Sequence, residues 1–321
     1  MKRILISFIV CVAMCLPVTA AAKPTFISIG TGGTGGVYYP YGGGLAEAWT
    51  KNVKGVKAVA EVTGASVENV KLAHRGETVV GMIMGDVAFQ AYNGVDKFEG
   101  KPQDVLAMAS MYPNVLQLVT LKGSGIKNVS DFAGKKISLG APGSGTAFMA
   151  NLVLKAIGVD MNGFDTSRLS FNETANALKD GTIDAGFWVV APGTSSIMDL
   201  ATTHDIEIIS FTPQQQKQVT DQYGFYSSWD LDADTYKGVD KAVPTISVWN
   251  VIIVQKSLPD DLVYNLTKTL FESNDFLQKI HPFAKYSTPE NAVGKTPIAL
   301  HPGAIRAIEE KGVSVPARLR P

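Results

Sequence analysis

The stretch TFISIGTGGTGGVYYP, residues 25–40, places an apolar run directly before a glycine-rich loop. It predicts a strand over 25–30, then a loop, then a helix from about residue 39 to residue 51. The same order of strand, loop and helix recurs, with further strands predicted at 56–62, 79–84, 105–111, 116–121, 136–140 and 183–189. Strands that alternate with helices of this length predict an α/β class with parallel sheets.

The alternation starts again after Gly125, which predicts two α/β lobes rather than one long sheet. Two long apolar strands, at 116–121 and at 245–255 (TISVWNVIIVQ), would cross between the lobes as a hinge. Helices expected at 260–276 and 303–311 would complete the first lobe. The first lobe is expected to comprise residues 23–115 plus 248–321, and the second lobe residues 116–247. A cleft between hinged lobes is a common place for a small-ligand site.

The N-terminus has the layout of a secretory signal peptide. Basic Lys2 and Arg3 precede an apolar run of about 13 residues, where about 20 are needed to span a bilayer. An A-x-A pattern at residues 20–22 predicts cleavage after Ala22, so that residues 1–22 are removed and the protein is exported to the periplasm. The alternatives are a retained membrane anchor and a lipoprotein modified at Cys15. A lipoprotein signal needs a small residue directly before the cysteine, where this chain has Met14.

Cysteine content and charge agree with export. Cys11 and Cys15 are the only cysteines and both lie in the predicted signal, so the mature chain would have no disulfide and no thiolate. The full-length formal charge is +0, and loss of Lys2 and Arg3 leaves the mature chain at −2. No basic patch is evident, so we expect no nucleic-acid partner.

The first glycine-rich loop, residues 30–36, is suited to binding an anion. Glycines let backbone amides approach a ligand, and the following helix N-terminus favours negative charge. Gly30, Gly32 and Gly35 also satisfy the dinucleotide pattern G-x-G-x-x-G. The bulky residues that follow at 37–40, and the lack of an acidic residue about 20 positions on, argue against a dinucleotide. A tight turn without a ligand is the other alternative.

A second loop, GAPGSGT at residues 140–146, occupies the matching place in the second half of the chain. Ser144 and Thr146 offer hydroxyls and Gly145 a backbone amide, although simple helix capping would also explain them. Two such loops favour paired binding elements on either side of one ligand. Other candidates are Ser66 and Asn69 at a helix start and Met84-Gly85-Asp86 at a strand end. Trp188 at the end of the strand at 183–189 and Pro192 at the start of the following helix are candidates as well.

The sequence gives little support for a catalytic function. The four histidines, His74, His204, His281 and His301, have no metal-ligand spacing, so we expect no metal and no cofactor. A secreted serine hydrolase that uses Ser144 stays open as an alternative, but no motif brings a histidine to it.

The chain resembles the TAXI family of TRAP-transporter solute receptors, which includes the immunogenic 31-kDa protein type. The resemblance rests on stretches that follow one another in family order from about residue 25 to 305: GTGGTGGVYYPYGGGLA, GASVENVKL, GDVAFQAYNG, LGAPGSGTAF, ALKDGTIDAGF, LPDDLVYNLTKTLFE and IALHPGA. It implies a two-lobed fold of the periplasmic-binding-protein type (type II), with the ligand in the interlobe cleft.

The resemblance also implies a function and a site. The receptor would bind a small anionic solute, such as glutamate, 2-oxoglutarate or a related organic acid, and deliver it to a TRAP membrane permease. We expect a monomer without enzymatic activity; a binding protein that serves a sensor kinase is the alternative. This chain has Met84-Gly85 where the family commonly has Gln-Ser, which predicts a less polar pocket. The predicted ligand-binding residues are Thr31, Gly33, Thr34, Tyr39, Ser66, Asn69, Met84, Gly85, Asp86, Ser144, Gly145, Thr146, Trp188 and Pro192.

Overall fold

The expected alternation of strands and helices is present in a computed structural model of the chain, which describes residues 24–321. The strands in this range are β1 (Thr25–Gly30), β2 (Val56–Glu61), β3 (Val80–Met84), β4 (Val105–Leu121), β5 (Lys136–Ser138), β6 (Asp165–Ser167), β7 (Ala185–Val190), β8 (Ile206–Ile209), β9 (Tyr226–Leu231) and β10 (Val243–Gln255).

Helices connect most of these strands and form the C-terminal part of the chain. They are α1 (Tyr38–Asn52), α2 (Ser66–His74), α3 (Gly85–Asn93), α4 (Gly145–Ala156), α5 (Phe171–Lys179), α6 (Ser195–Thr203), α7 (Pro213–Gln222), α8 (Asp260–Glu272), α9 (Asn274–Ile280), α10 (Pro289–Lys295) and α11 (Pro302–Glu310). Short 3₁₀ turns lie at Asp96–Phe98, Val129–Phe132, Pro282–Tyr286 and Ala317–Leu319.

The strands form one hydrogen-bonded sheet, in the order β2-β1-β3-β10-β4-β7-β5-β6, with β8 beside β4 and β9 beside β10. A continuous sheet was not expected, whereas the division of the chain into two lobes stays a prediction. The sheet is continuous because of the length of β4 and β10, which pair with each other and also reach strands on either side. We call β1, β2 and β3 with α1, α2 and α3 the first half, and β5 to β9 with α4 to α7 the second half.

The two long strands change partners along their length. β4 pairs with β10 over 105–115 and with β7 from Val115 to Thr120. β10 pairs with β3 from Asn250 to Val254 and with β9 from Val243 to Val248. These ladders are antiparallel, whereas the expected parallel pairing holds for β1 with β2 and β3 and for β5 with β6 and β7. The lobe boundaries near 115 and 248 stay a prediction.

Strand β4 runs without interruption through Pro113, where two separate strands were expected. Proline is tolerated here because the ladder is already irregular: the register shifts between Trp249 and Val251, opposite Pro113 and Ser110. The side chain of Asn250 fills this irregularity. Its Nδ2 donates to the carbonyl of Tyr112 at 2.8 Å and to Oδ1 of Asn114 at 2.9 Å.

The C-terminal helices pack against the first half, and the indole of Trp49 donates to the carbonyl of Leu266 at 3.0 Å. The single helix expected at 260–276 is divided at Ser273 into α8 and α9. The Asn274 side chain explains the break, because it donates to the carbonyls of Ala284 and Ser287 at 2.8 and 2.9 Å. Short polar side chains of this kind compete with helical hydrogen bonds.

Two expectations about the membrane concern different parts of the chain. Across residues 24–321, no helix combines the length and the apolar character needed to cross a membrane. The predicted signal peptide, with Cys11 and Cys15, lies outside the residues that the structure describes.

Candidate functional site

A cavity of about 100 Å³ is lined by residues from both halves of the sheet and from β4. Most of these residues belong to glycine-rich loops or to the first turns of helices. The lining residues are Gly32, Gly33, Gly36, Val37, Tyr38, Thr63, Gly64, Ala65, Ser66, Met84, Asn114, Ala141, Ser144, Gly145, Thr146, Ser170, Phe171, Val189 and Val190.

Four helices begin at this cavity. The first residues of α1, α2, α4 and α5 (Tyr38, Ser66, Gly145 and Phe171) all line it. Each helix N-terminus carries a partial positive charge and presents backbone amides that have no partner within the helix. Their convergence therefore makes the cavity favourable for an anion.

Several lining residues keep hydrogen-bond donors for a ligand. Within residues 24–321, no protein acceptor takes the amide hydrogens of Val37, Tyr38, Gly145 and Thr146. The hydroxyl of Thr146 also has no hydrogen-bond partner in this part of the chain, although the residue is only 3% exposed.

Ser66 presents a second hydroxyl, from the opposite half of the sheet. Its Oγ accepts from the amide of Met84 at 3.1 Å, and in the described chain its own hydrogen has no acceptor at hydrogen-bonding geometry. The hydroxyl does lie close enough to the phenol of Tyr38 to lower its pKa, against a larger rise that comes from burial. Ser66 and Thr146 can therefore donate to one ligand from two sides.

The remaining lining hydroxyls are used within the protein. Ser144 caps α4: its Oγ donates to the carbonyl of Ala141 at 2.7 Å and accepts from the amide of Ala147 at 3.0 Å. The phenol of Tyr38 donates to Oδ1 of Asn250 at 2.5 Å. Ser170 begins a capping box with Glu173, to which its Oγ donates at 2.7 Å. These residues shape the wall and hold the helix ends in place.

No residue that lines the cavity, across the described chain, is an Asp, Glu, Lys, Arg or His. The carboxyl group of Asp86 is fully buried, two residues beyond Met84 of the cavity wall. Burial raises the pKa of Asp86 to about 7, against the opposing effect of a hydrogen bond from Tyr226. A negative ligand would therefore be bound by neutral donors and helix N-termini rather than by a cationic side chain.

The two halves touch each other around the cavity. The amide of Val67 in α2 donates to the carbonyl of Gly143 at 3.0 Å. Thr194 Oγ1 donates to the carbonyl of Gly35 at 3.1 Å, and Asn172 Nδ2 donates to Thr34 Oγ1 at 3.3 Å. These contacts join the first glycine-rich loop and α2 to three segments of the second half.

Ala65 has a strained backbone at the edge of the cavity, with φ 70° and ψ −144°. An L-residue rarely adopts this conformation, and such strain is often found where a ligand is held. The turn directs the chain into α2, whose Asn69 amide donates to the Ala65 carbonyl at 2.8 Å. It thereby sets Ser66 at the cavity wall.

The structure brings six of the predicted site residues together at the cavity. They come from four separate segments, three in the first half and one in the second half: Gly33, Ser66, Met84, Ser144, Gly145 and Thr146. The two glycine-rich loops expected to flank one site do line the same cavity.

Four other predicted residues of the first half lie outside the cavity. Thr31 and Asn69 are buried, and their side chains tie the first loop to its neighbours: Thr31 Oγ1 donates to the carbonyl of Glu61 at 2.6 Å. Asn69 Nδ2 lies within 2.7 to 3.0 Å of the carbonyls of Gly30, Thr31 and Met82. Thr34 and Tyr39 are exposed.

The last four predicted residues also lie outside the cavity lining. Gly85 begins α3 and Asp86 is bonded to Tyr226, as described above. Trp188 is buried, and its Nε1 donates to Ser196 Oγ at 3.1 Å while its ring stacks on Phe171, a cavity residue, at 6.1 Å. Pro192 is half-buried beyond the end of β7.

The cavity also contains residues that sequence reasoning missed. Tyr38 and not Tyr39 faces it, which depends on where α1 begins. Ser170 and Phe171 could have been found, since S-x-x-E at 170–173 is a capping-box signal for a helix start. No sequence pattern points to Asn114, because its position at the cavity depends on the bulge opposite Pro113.

The comparisons with known proteins agree with this architecture. The solved structures that resemble it include a protein from Bordetella bronchiseptica, with a TM-score of 0.53, 19% identity and coverage of 91% of this chain and 90% of that one. The binding-protein component of an ABC phosphonate transporter from Pseudomonas aeruginosa matches with a TM-score of 0.52 and 14% identity, over 83% of this chain and 80% of that one.

A Xanthomonas citri protein bound to ATP is similar as well, with a TM-score of 0.51, 13% identity and coverage of 89% of this chain and 94% of that one. At these identities the similarity concerns the fold, and it confirms the predicted α/β fold of the periplasmic-binding-protein type. The model of the NMT1-like family matches residues 29–312, and the chain therefore belongs to the NMT1-like family.

Proposed function

We propose that this protein is a periplasmic solute receptor of a secondary transporter of the TRAP type, and that it binds a small carboxylate in the cavity between the two halves. The observation that carries the proposal is the convergence of four helix N-termini on one cavity that has no charged side chain in its lining. Hydroxyls and amides at helix N-termini can bind a carboxylate there without a counter-ion.

The two free hydroxyls support a shared role for both halves. Ser66 donates from α2 and Thr146 from α4, so that a carboxylate held between them bridges the first and the second half. Closing contacts such as Val67 with Gly143 form at the same place. Ligand binding and closure would therefore stabilise each other.

The dinucleotide and hydrolase alternatives receive no support from this geometry. The cavity of about 100 Å³ lies below the roughly 300–1,000 Å³ typical of pockets for drug-sized ligands. Ser144 is a helix cap whose hydroxyl donates to a backbone carbonyl, and no histidine or carboxylate stands among the residues that line the cavity in the described chain. We propose a binding function without catalysis.

Thermal unfolding of the purified protein tests the ligand class. A carboxylate at 100 times its Kd adds about 2.7 kcal/mol of stability, which is a rise in Tm of roughly 4 °C. Thr146→Val, which keeps the shape and removes the hydroxyl, should reduce the Tm shift, while Thr202→Val at an exposed position of α6 should not. The absence of any shift with amino acids, oxo acids, aliphatic acids and dicarboxylates would reject the proposal.

The permease partner requires a separate experiment. The Pseudomonas aeruginosa relative is a component of an ABC transporter, whereas the motif resemblance points to a permease driven by an ion gradient. In proteoliposomes that contain the candidate TRAP permease and the monomeric receptor, uptake should follow an imposed ion gradient and need no ATP. Uptake that depends on ATP hydrolysis would assign the receptor to an ABC system instead.

A further inference from the structure

The lining of the cavity restricts the chemistry of the ligand beyond its carboxylate. We infer that the ligand is a small monocarboxylate with an uncharged, apolar tail and no ammonium group, rather than a dicarboxylate or an α-amino acid. This inference rests on the proposed function, because it concerns the same cavity.

The donors and charges of the lining limit the number of anionic groups that the cavity can hold. The free hydroxyls of Ser66 and Thr146 and the amides of residues 145 and 146 form one set of donors. The hydroxyl of Thr146, which has no hydrogen-bond partner in the described chain, can donate to a carboxylate oxygen in the cavity. The amides of Val37 and Tyr38 at the start of α1 are further donors, but a second carboxylate would bring a second buried negative charge, and the lining contains no Lys, Arg or His to compensate it.

An ammonium group would have no partner among the lining residues. An α-amino acid brings a positive charge within two bonds of its carboxylate, and burial of that charge without a partner is expensive. No Asp or Glu lines the cavity, and the four helix N-termini repel a cation. Asp86 does not serve, because its carboxyl oxygens already accept from the Tyr226 phenol and the Val87 amide, both at 2.7 Å.

Much of the remaining lining is apolar. Aliphatic and aromatic side chains form this wall, among them Val37, Met84, Phe171, Val189 and Val190. Phe171 is held in place by the buried ring of Trp188, which stacks on it. Together with a volume of about 100 Å³, this wall fits a short, branched or unbranched hydrocarbon tail.

Isothermal titration calorimetry on the full-length mature protein tests the inference with three five-carbon acids. 3-Methyl-2-oxobutanoate has one carboxylate and an apolar tail, valine has the same carbon skeleton with an ammonium group in place of the oxo group, and 2-oxoglutarate is an unbranched oxo acid with a second carboxylate. We expect the first to bind at least ~100-fold more tightly than either of the others, given the cost of burying an uncompensated charge.

Two variants at one wall position sharpen the test. Met84→Gln adds a polar amide of similar size and should lower the preference for 3-methyl-2-oxobutanoate over 2-oxoglutarate by about 10-fold or more. Met84→Leu keeps the wall apolar and should leave the preference unchanged.

The outcomes separate this inference from the proposed function. Valine, glutamate or 2-oxoglutarate that binds as tightly as the apolar oxo acid would overturn the inference and leave a carboxylate receptor standing. If none of the carboxylates binds, including propanoate and butanoate, both are rejected. An equal affinity of the neutral amide 3-methylbutanamide and its acid would show that the cavity does not select an anion, which also overturns both.

Discussion

The phenol of Tyr226 donates a hydrogen bond of 2.7 Å to Oδ2 of Asp86, and this bond joins β9 of the second half to α3 of the first half. Both side chains are buried, and Asp86 Oδ1 accepts from the amide of Val87 at 2.7 Å. Asp86 follows Met84 of the cavity wall by two residues. The pair therefore lies next to the cavity wall and at a contact between the two halves.

This relationship predicts a pH-dependent stability. Burial raises the pKa of Asp86 to about 7 from 3.8 in the unfolded chain, so the folded protein binds the proton more tightly. The contribution of Asp86 is then fully present below pH ~4 and is lost as the pH rises through about 7. Asp86→Asn should remove this loss, so that its Tm exceeds that of the wild type by more at pH 8 than at pH 5.

At each pH, the Tm of Asp86→Asn must be compared with the Tm of the wild type, because other groups also make the stability depend on pH. Burial lowers the pKa of His281 to about 4, which gives the opposite trend, since that contribution is present above pH ~6.5 and is lost as the pH falls through about 4. Exposed Asp240 provides the control, because Asp240→Asn should leave the pH profile of the Tm unchanged. A pH profile of Asp86→Asn that is parallel to the wild type would contradict the prediction.

The side chain of Asn250 is expected to be a major determinant of stability. It accepts from Tyr38 and donates to Tyr112 and Asn114, so its removal leaves buried polar groups without partners on both sides of the irregular ladder. Asn250→Ala should cost about 2–4 kcal/mol in the free energy of unfolding, measured by denaturant titration. Asn265→Ala in the exposed part of α8 is the control, for which we expect less than about 1 kcal/mol.

The fold was more predictable from the sequence than the cavity. Strand and helix alternation depends on local patterns such as TFISIG before the first glycine loop, and the structure confirms the resulting α/β class. The continuity of β4 across Pro113 was not predictable in this way, because Asn250, more than 130 residues away, supplies the hydrogen bonds that complete the ladder.

The same distinction explains the site residues. Ser66, Ser144 and Thr146 stand at helix starts, and local capping patterns point to such positions. Asn69 has a similar local setting, but its amide is directed to three carbonyls of the first half and away from the cavity lining. Which polar side chain faces a ligand and which one supports a loop depends on tertiary packing that the sequence pattern does not contain.

Gly145 is predicted to be necessary for closure. A Cβ at this position would lie 2.6 Å from Ser66 Oγ and would also overlap the Met84 side chain, both of which belong to the opposite half. Gly145→Ala should therefore weaken binding of the preferred carboxylate by about 10-fold or more, with a small change in the Tm of the ligand-free protein.

The neighbouring loop offers a matched control for this glycine. A Cβ on Gly33, which also lines the cavity, would meet no atom within 4 Å. Gly33→Ala should therefore keep the ligand affinity within about 3-fold, as expected for a substitution without a clash. Equal losses for both variants would show that general loop rigidity, and not the Ser66 contact, limits binding.

Ser144→Ala separates a binding protein from a hydrolase. The hydroxyl caps α4 by accepting from the Ala147 amide, so its loss should cost about 1 kcal/mol in the free energy of unfolding. The amides of Gly145 and Thr146 remain, and carboxylate binding should therefore weaken only a few-fold. Ser170→Ala, which removes the equivalent cap of α5, should have a comparable effect on stability.

Both the wild type and Ser144→Ala should be inactive towards p-nitrophenyl esters. The Ser144 hydroxyl donates to the Ala141 carbonyl, and no lining residue of the described chain is a base. An esterase activity of the wild type that Ser144→Ala abolishes would overturn the binding-only function.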